Sequence, residues 1–421
     1  MSTSRRTFLK TTAAGAAAAA TASALPAAMY RRVWGAAERV RMGLIGPGGM
    51  GSGHLGSFLG FHQSGRAPVD VVAISDCALP HMDRAVERAR EYQSGVEVGA
   101  HKDYRELLAR DDVHGVLIAS PEHWHAQMSI DAIQAGKDVY CEKPMTLHLD
   151  DAFAVKKVVD ASDRIFQVGT QKMALAKWNV AKAMIAEGRI GKPLWSQTAY
   201  CRNTPSGEWN YYGIEKDLVP GETLDWAAWC GPKGEHEWDP KLYHRWRRYK
   251  DFSTGIIGDL LVHEMTPLMY ALECDWPERV YCSGAHMIDA DMENHDQVIL
   301  NVQFPDGHTM IVAGATNNQQ GLQPIIRGQQ GTLYLSGMDC ELRPEGPFVD
   351  DIEPEKVDCP HVADQDELRL NWLSCIQTRE APFSPVEFAT KVMVAVDLAT
   401  RSAWDGRAYA FDKATMQAAP A

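Results

Sequence analysis

What this chain lacks narrows it first. Its nine cysteines are odd in number and contain no C-x-x-C pair. That excludes a cysteine zinc site of the usual spacing and gives no evident disulfide framework. Basic charge is scarce: 42 Lys and Arg against 55 Asp and Glu leave a formal charge of −13. A nucleic-acid partner needs a basic face, so that class is excluded. The one long small-residue stretch, which ends at about Ala28, is too alanine-rich and too short to span a membrane. Internal repeats are missing, and so are low-complexity segments beyond that stretch.

What is present begins with Ser4-Arg5-Arg6-Thr7-Phe8-Leu9-Lys10 ahead of an Ala/Thr-rich segment. Twin arginines in that setting look like a twin-arginine export signal, with an ordinary basic amphipathic start as the competing reading. Cleavage fits either Ala22-Ser23-Ala24 or Gly35-Ala36-Ala37. Residues 1–37 are therefore set aside as signal and linker. The remainder is long enough for two domains. We place a nucleotide-binding domain over 38–165, a second domain over 166–405 and a C-terminal tail over 406–421.

From Arg39 to about Tyr140 short β-branched runs alternate with helical patterns. Strands are expected at Val40–Ile45, Val69–Ser75, Val113–Ala119 and Asp138–Cys141, with helices Gly51–Gln63, His81–Tyr92 and His125–Ala135 between them. This alternation predicts a doubly wound parallel sheet of the Rossmann type, an α/β architecture. Beyond Pro193 the pattern changes to period two. Leu194–Tyr200, Glu278–His286, Gln297–Phe304, Thr309–Ala313, Pro324–Arg327 and Thr332–Leu335 read as strands, and Pro305-Asp306-Gly307 as a hairpin turn. A large, mostly antiparallel sheet in an α+β domain follows. Residues 203–250 form a long Trp/Tyr-rich excursion; such loops are functional or disordered, and the aromatic content argues for order. A final helix is expected over about Val386–Ser402.

Gly46-Pro47-Gly48-Gly49-Met50-Gly51 is a G-x-G-x-x-G between a strand and a helix. That context lets the glycines make a tight turn, admit a pyrophosphate and pack helix on strand, with the helix dipole favouring the anion. Asp76 closes the second strand, where a carboxylate accepts from both ribose hydroxyls and repels a 2′-phosphate, which favours NAD over NADP. A strand-end turn former is the competing reading of Asp76. Ser120-Pro121-Glu122-His123-Trp124-His125 follows the third long strand at the carboxyl edge of the sheet, where ligands of such sheets bind. His125 either faces the nicotinamide ribose or caps a helix. Glu142-Lys143-Pro144 ends the next strand, with the proline fixing a turn that aims Lys143 into the cleft. A lysine there can donate to a substrate hydroxyl and stabilise alkoxide charge. Ser253 or Thr254 is expected to cap the helix that carries Asp259 and His263. Those two lie four apart on one face, with His263 as proton acceptor, although such pairs are also common surface decoration.

Taken in order, the glycine loop, Asp76, Ser120–His125, Glu142-Lys143-Pro144 and Asp259-x-x-x-His263 resemble the glucose–fructose oxidoreductase/inositol dehydrogenase (Gfo/Idh/MocA) family. The likeness runs from about Arg39 to the C-terminal helix, and Ala132–Pro144 is its most specific part. It implies a Rossmann domain, a C-terminal α/β domain whose open sheet often forms an oligomer interface, and a nicotinamide at the domain junction. It also implies Lys143, Asp259 and His263 as the catalytic group. The expected cofactor contacts are Gly46, Gly48, Gly49, Met50, Gly51, Asp76, Ser120, Pro121, His125, Glu142, Lys143 and Gln171. Substrate contacts are expected at Lys143, Arg202, Tyr212, Trp246, Asp259 and His263, with Trp209 and Trp226 as further rings able to stack on a sugar, although packing is the commoner fate of such rings; no metal is expected. Many members read His-x-x-Asp, whereas Thr266 stands at that last position here, so the usual hydroxyl-orienting carboxylate is missing.

An exported dinucleotide enzyme meets no evident pool of free nucleotide, so the NAD is expected to stay bound and be reset in each cycle. Three functions remain open. The first is an oxidoreductase acting on a sugar, polyol or glycoside hydroxyl, with a second substrate taking the hydride back. The second is a redox-neutral glycosidase that transiently oxidises C3, eliminates the aglycone and adds water. The third is a non-catalytic sugar-binding or regulatory protein on the same fold.

Overall fold

The computed structural model describes residues 39–421. The signal segment and both candidate cleavage sites lie outside the described residues.

The first sheet has six parallel strands: β1 (Val40–Ile45), β2 (Val69–Ser75), β3 (Gly99–His101), β4 (Gly115–Ile118), β5 (Asp138–Cys141) and β6 (Phe166–Val168). Their order, β3-β2-β1-β4-β5-β6, is that of a dinucleotide-binding Rossmann domain. The strands are apolar because helices cover both faces. Val69–Ser75 is buried at all seven positions, and Gly115–Ile118 at all four. One covering helix, Asp364–Thr378, comes from far along the chain. Its Leu368, Trp372, Leu373 and Ile376 pack with Met42, Leu44 and Tyr140. The sequence did not announce this helix. It is buried around much of its circumference, so it shows little of the one-sided stripe that marks a surface helix.

The second sheet has ten strands: β7 (Pro193–Cys201), β8 (Arg279–Ala285), β9 (Gln297–Gln303), β10 (Thr309–Ala315), β11 (Ile325–Gly328), β12 (Gly331–Tyr334), β13 (Cys340–Pro344), β14 (Glu355–Val357), β15 (Tyr409–Asp412) and β16 (Gln417–Pro420). All neighbours run antiparallel except β7 and β10. Residues 406–421, set apart as a tail from the sequence, instead contribute β15 and β16 at one edge of this sheet. One face of the sheet is buried: Val280, Cys282, Val298, Leu300, Met310 and Val312 lie in the main core with Val396 and Leu398 of the helix Val386–Asp405. The other face is left open, with Trp195, Tyr281 and Ile299 exposed on it. Period-two alternation in β9, buried at every second residue, records that asymmetry.

Residues 203–250 are ordered as short helices and turns over a small core of Leu218, Leu224, Trp229, Leu242, Tyr243 and Phe252. This excursion is stitched to the first residues past β2: Leu79 N donates to Thr223 O at 2.8 Å, and Asp225 N to Cys77 O at 3.0 Å.

Candidate active site

The carboxyl ends of β1, β2, β4, β5 and β6 open into one cleft of about 1180 Å³, which the second domain and the excursion complete. It exceeds the roughly 300–1,000 Å³ of a usual small-ligand pocket, as a dinucleotide plus a substrate requires. Of the expected contacts, Gly46, Gly48, Gly49, Met50, Asp76, Ser120, Pro121, His125, Glu142, Lys143, Gln171, Arg202, Tyr212, Trp246, Asp259 and His263 all line it. Gly51 does not; it serves packing, because a Cβ there would collide with the Gly46 carbonyl.

The glycine loop fits a pyrophosphate. Gly46 has φ +81°, and a Cβ on it would press on the backbone of Ala119 and Ser120. At Gly48, N-terminal to the helix Gly49–Ser64, a Cβ would meet nothing, so that side stays open for an anion. The buried Ser120 Oγ has no hydrogen-bond partner among the described residues and is available to a ligand. Asp76 is the strand-end turn former of the competing reading, and it also faces the cleft. Its Oδ1 accepts from Ala78 N at 2.8 Å, while its Oδ2 lies 4.0 Å from His81 Nδ1 on the wall of the cleft. Burial raises its pKa, against the pull of His81.

Three sequence expectations need correction. His125 neither caps a helix nor points freely at a ribose. Its ring lies between two carbonyls, Nδ1 at 2.6 Å from Pro144 O and Nε2 at 2.8 Å from Ser120 O; burial lowers its pKa, and the neutral ring donates to one of them, between the β4 and β5 loops. Ser253 and Thr254 cap no helix either. Ser253 Oγ donates to Glu122 Oε1 at 2.6 Å, and Thr254 N and Oγ1 both lie 3.1 Å from Glu122 Oε2. A buried carboxylate takes those donors because it has no water to use instead; burial pushes Glu122 up to about 7. Trp226 stacks on Trp229 at 4.7 Å and gives its Nε1–H to His236 O, outside the cleft. It is a packing residue.

Glu142 is held from behind. Arg369 Nε donates to His54 Nδ1 at 2.8 Å, which leaves Nε2 as the nitrogen that carries hydrogen and donates to Glu142 Oε1 at 2.8 Å. Burial alone would raise the Glu142 pKa; the His54 hydrogen bond and the nearby Lys143 outweigh it and hold the group down to about 2. Lys143, next in sequence and joined to Pro144 by a cis peptide, reaches across the domain boundary. Its Nζ donates to Asp259 Oδ1 at 2.8 Å and to Asp259 O at 2.9 Å.

Asp259 lies in a π-helical turn, Ile257–Leu261, which runs into the α-helix Val262–Ala271. π-Turns of this kind are frequent at functional sites. A Cβ at Gly258 would collide with Thr254 Oγ1 and press on Pro144, so glycine lets this turn sit directly against the Lys143 loop. Asp259 also accepts from Arg247 Nε at 2.8 Å. Burial would raise its pKa, but the Arg247 and Lys143 cations keep it below the usual carboxylate range. The partners of its carboxylate are thus these two cations, and among the described residues no side-chain hydrogen bond joins it to His263. Asp259 and His263 both line the cleft, and the Asp259 carboxylate is spent on orienting Lys143. His263 is buried, its Nδ1 has no partner, and burial followed by the Lys143 charge pushes it down to about 3. The imidazole is therefore neutral and able to accept a proton. Tyr200 lies 6.4 Å from it, ring to ring, beneath the Arg202 guanidinium. Thr266 turns its hydroxyl back to Val262 O at 2.7 Å, so nothing from that position reaches a substrate.

The sequence reading missed Arg247, Glu122 and the His54–Arg369 relay. Only the histidine and arginine types hinted at chemistry; their partners are up to 315 residues away.

Comparison with known proteins agrees with this geometry. Residues 40–170 match the Gfo/Idh/MocA oxidoreductase family's NAD-binding Rossmann fold, and residues 176–419 match that family's C-terminal alpha/beta domain. The chain belongs to the Gfo/Idh/MocA family of NAD-binding oxidoreductases. Residues 2–22 match a twin-arginine translocation signal, so the protein is an exported member. Among the described residues no helix is long and apolar enough to cross a membrane. An alpha-N-acetylgalactosaminidase of Shewanella oneidensis is 32% identical over 195 residues, which span 42% of this chain and 40% of that protein. The chain thus matches about two fifths of that relative's length. A 2,7-anhydro-N-acetylneuraminate hydratase of Mediterraneibacter gnavus is 25% identical over 71% of this chain and 69% of its own. Levoglucosan dehydrogenase in complex with NADH and levoglucosan shares the fold, with a TM-score of 0.68 at 18% identity over 91% of this chain and 99% of that one.

Proposed function

We propose that this protein is an NAD-dependent oxidoreductase acting on a hydroxyl of a sugar, polyol or glycoside, with the cofactor retained between turnovers. The observation that carries the reading is that Lys143, from the Rossmann domain, and His263, from the second domain, line one cleft beside the glycine loop. NAD, when bound, supplies a carrier that takes a hydride and gives it back. The protein's own part is proton and charge management. Neutral His263 takes the proton of the substrate hydroxyl, and Lys143 donates to the same oxygen as it gains alkoxide charge. Asp259 occupies two of the lysine's three N–H groups and leaves the third for substrate.

Retention of the cofactor is supported by the excursion. Glu215 pairs with His81 at 2.9 Å and Arg84 at 3.0 Å, beside the backbone stitches at Cys77 and Leu79. Together these cover the cleft next to Asp76, where an adenosine ribose would lie. We also propose that the open face of the ten-stranded sheet, with Trp195, Tyr281 and Ile299 exposed, joins two or more copies of the chain.

The similarity to a glycosidase and a hydratase favours a second reading on the same residues: oxidation, elimination of an aglycone, hydration and return of the hydride. One experiment separates the readings. Purified protein without added nucleotide is given aryl glycosides, then pairs of free sugars. Hydride exchange between two sugars supports the oxidoreductase, and released phenol supports the glycosidase. Neither product would leave only a non-catalytic binding protein. Lys143→Ala should lower either turnover on the order of 10²–10³-fold while the bound NAD remains; full activity would remove the assignment.

A further inference from the structure

Arg247 is the cation at this site with both terminal nitrogens free of protein partners among the described residues. Its Nε goes to Asp259 Oδ1 at 2.8 Å, and its guanidinium lies 4.2 Å from the centre of the Trp246 ring. Nη1 and Nη2 have no hydrogen-bond partner among the described residues. Neither is sealed from solvent, and the residue lines the cleft. Arg202, by contrast, has both terminal nitrogens engaged, Nη1 with Glu208 at 2.7 Å and Nη2 with Tyr200 at 2.9 Å, and Lys143 holds Asp259 with two of its three hydrogens.

The segment is anchored so that the fork stays where it is. Asn294 Nδ2 donates to Arg247 O at 3.2 Å, and the next residue, Arg248, is buried in a two-pronged pair with Asp289 at 2.6 and 2.7 Å. A side chain held from both ends loses little freedom on binding. A planar, open fork of N–H groups is the geometry that matches a carboxylate in two parallel hydrogen bonds.

The acidic groups around Lys143 point the same way. Glu142 is occupied by His54 and the Lys143 backbone, and Asp259 by two cations. The position that would present a further carboxylate to sugar hydroxyls is Thr266, turned back on its own helix. This end of the cleft therefore offers an open cation where a site for neutral sugars would offer an open acid.

We propose that Arg247 receives a carboxylate of the substrate, so that the substrate is an acidic sugar: a uronic, aldonic or ulosonic acid, or a glycoside of one. The inference rests on the sugar-hydroxyl reading of the site and adds the class of sugar. The test is calorimetric binding to the NAD-loaded full-length enzyme. D-glucuronate, D-galacturonate and N-acetylneuraminate are compared with D-glucose and D-galactose. At least one acid should bind more than tenfold tighter than the neutral sugars, with a preference that weakens as salt is raised. Arg247→Gln should erase the preference. Arg247→Lys, which keeps the charge and loses the fork, should lose most of it. Both variants should retain bound NAD and the parental Tm. No preference for any acid, or a preference that survives in Arg247→Gln, overturns the proposal. Turnover of neutral glycosides without acid preference would sink this inference and leave the function standing; tight acid binding without turnover would do the reverse.

Discussion

His263 shows how burial sets the chemistry of a single residue. Removed from water and placed near an ammonium group, its imidazole is pushed from its usual 6.5 down to about 3. It is therefore unprotonated throughout the physiological range, and a weaker base than a free imidazole until a bound substrate changes its surroundings. A kcat/KM profile should show no acid limb near pH 6.5, and a limb there that disappears in His263→Gln would contradict the assignment. The same shift has a thermodynamic sign. The folded pKa lies below the unfolded one, so the unfolded chain takes up the proton first as pH falls. Stability is lost below about 6.5, and His263→Gln should flatten that part of a Tm-against-pH curve. The identity of this residue was legible from its spacing after Asp259. That the Asp259 carboxylate would be spent on Lys143 and Arg247 was not, because Lys143 lies 116 residues away in the chain.

Among elements, the excursion over residues 203–250 departs most from what its sequence displays. Its aromatic content showed that it is ordered, yet nothing local said what it covers. Glu215 finds His81 and Arg84 more than 130 residues away. Burial would raise the Glu215 pKa, but the His81 hydrogen bond outweighs it and lowers the group. Glu215→Gln removes the carboxylate that Arg84 and His81 share while leaving the backbone stitches, so it should speed the loss of NAD on exhaustive dialysis without unfolding the protein. Parental retention in that variant, read from the absorbance of released cofactor, would show that the backbone contacts alone hold the cover. The π-turn and the Lys143 loop teach the complementary lesson. Two motifs separated by 116 residues touch because Gly258 has no side chain to keep them apart.

For the molecule as a whole, two sheets meet at a cleft, and one of them presents a bare face. Tyr281 and Ile299 are each 47% exposed on neighbouring strands, with Trp195 on the same side. If that face joins subunits, light scattering should give a multiple of the chain mass. Ile299→Glu, which sets a charge in the seam, should shift the protein toward monomer without lowering NAD content. An already monomeric parent protein would rule the interface out.

Periodicity and local motif were enough for a parallel sheet followed by a mostly antiparallel one, the dinucleotide loop, the export signal and the candidate pair Lys143 and His263. Each depends on residues within a few positions of one another, because pleat, helical turn and capping are short-range geometry. Tertiary structure alone decided that Glu122 draws Ser253 and Thr254 away from a cap, and that His125 lies between two loops. It also placed the helix Asp364–Thr378 on the first sheet, added β15 and β16 to the second, and left Arg247 with an open fork. Those outcomes turn on which polar groups meet once water is gone, and a buried donor or acceptor takes its partner from wherever the fold brings one.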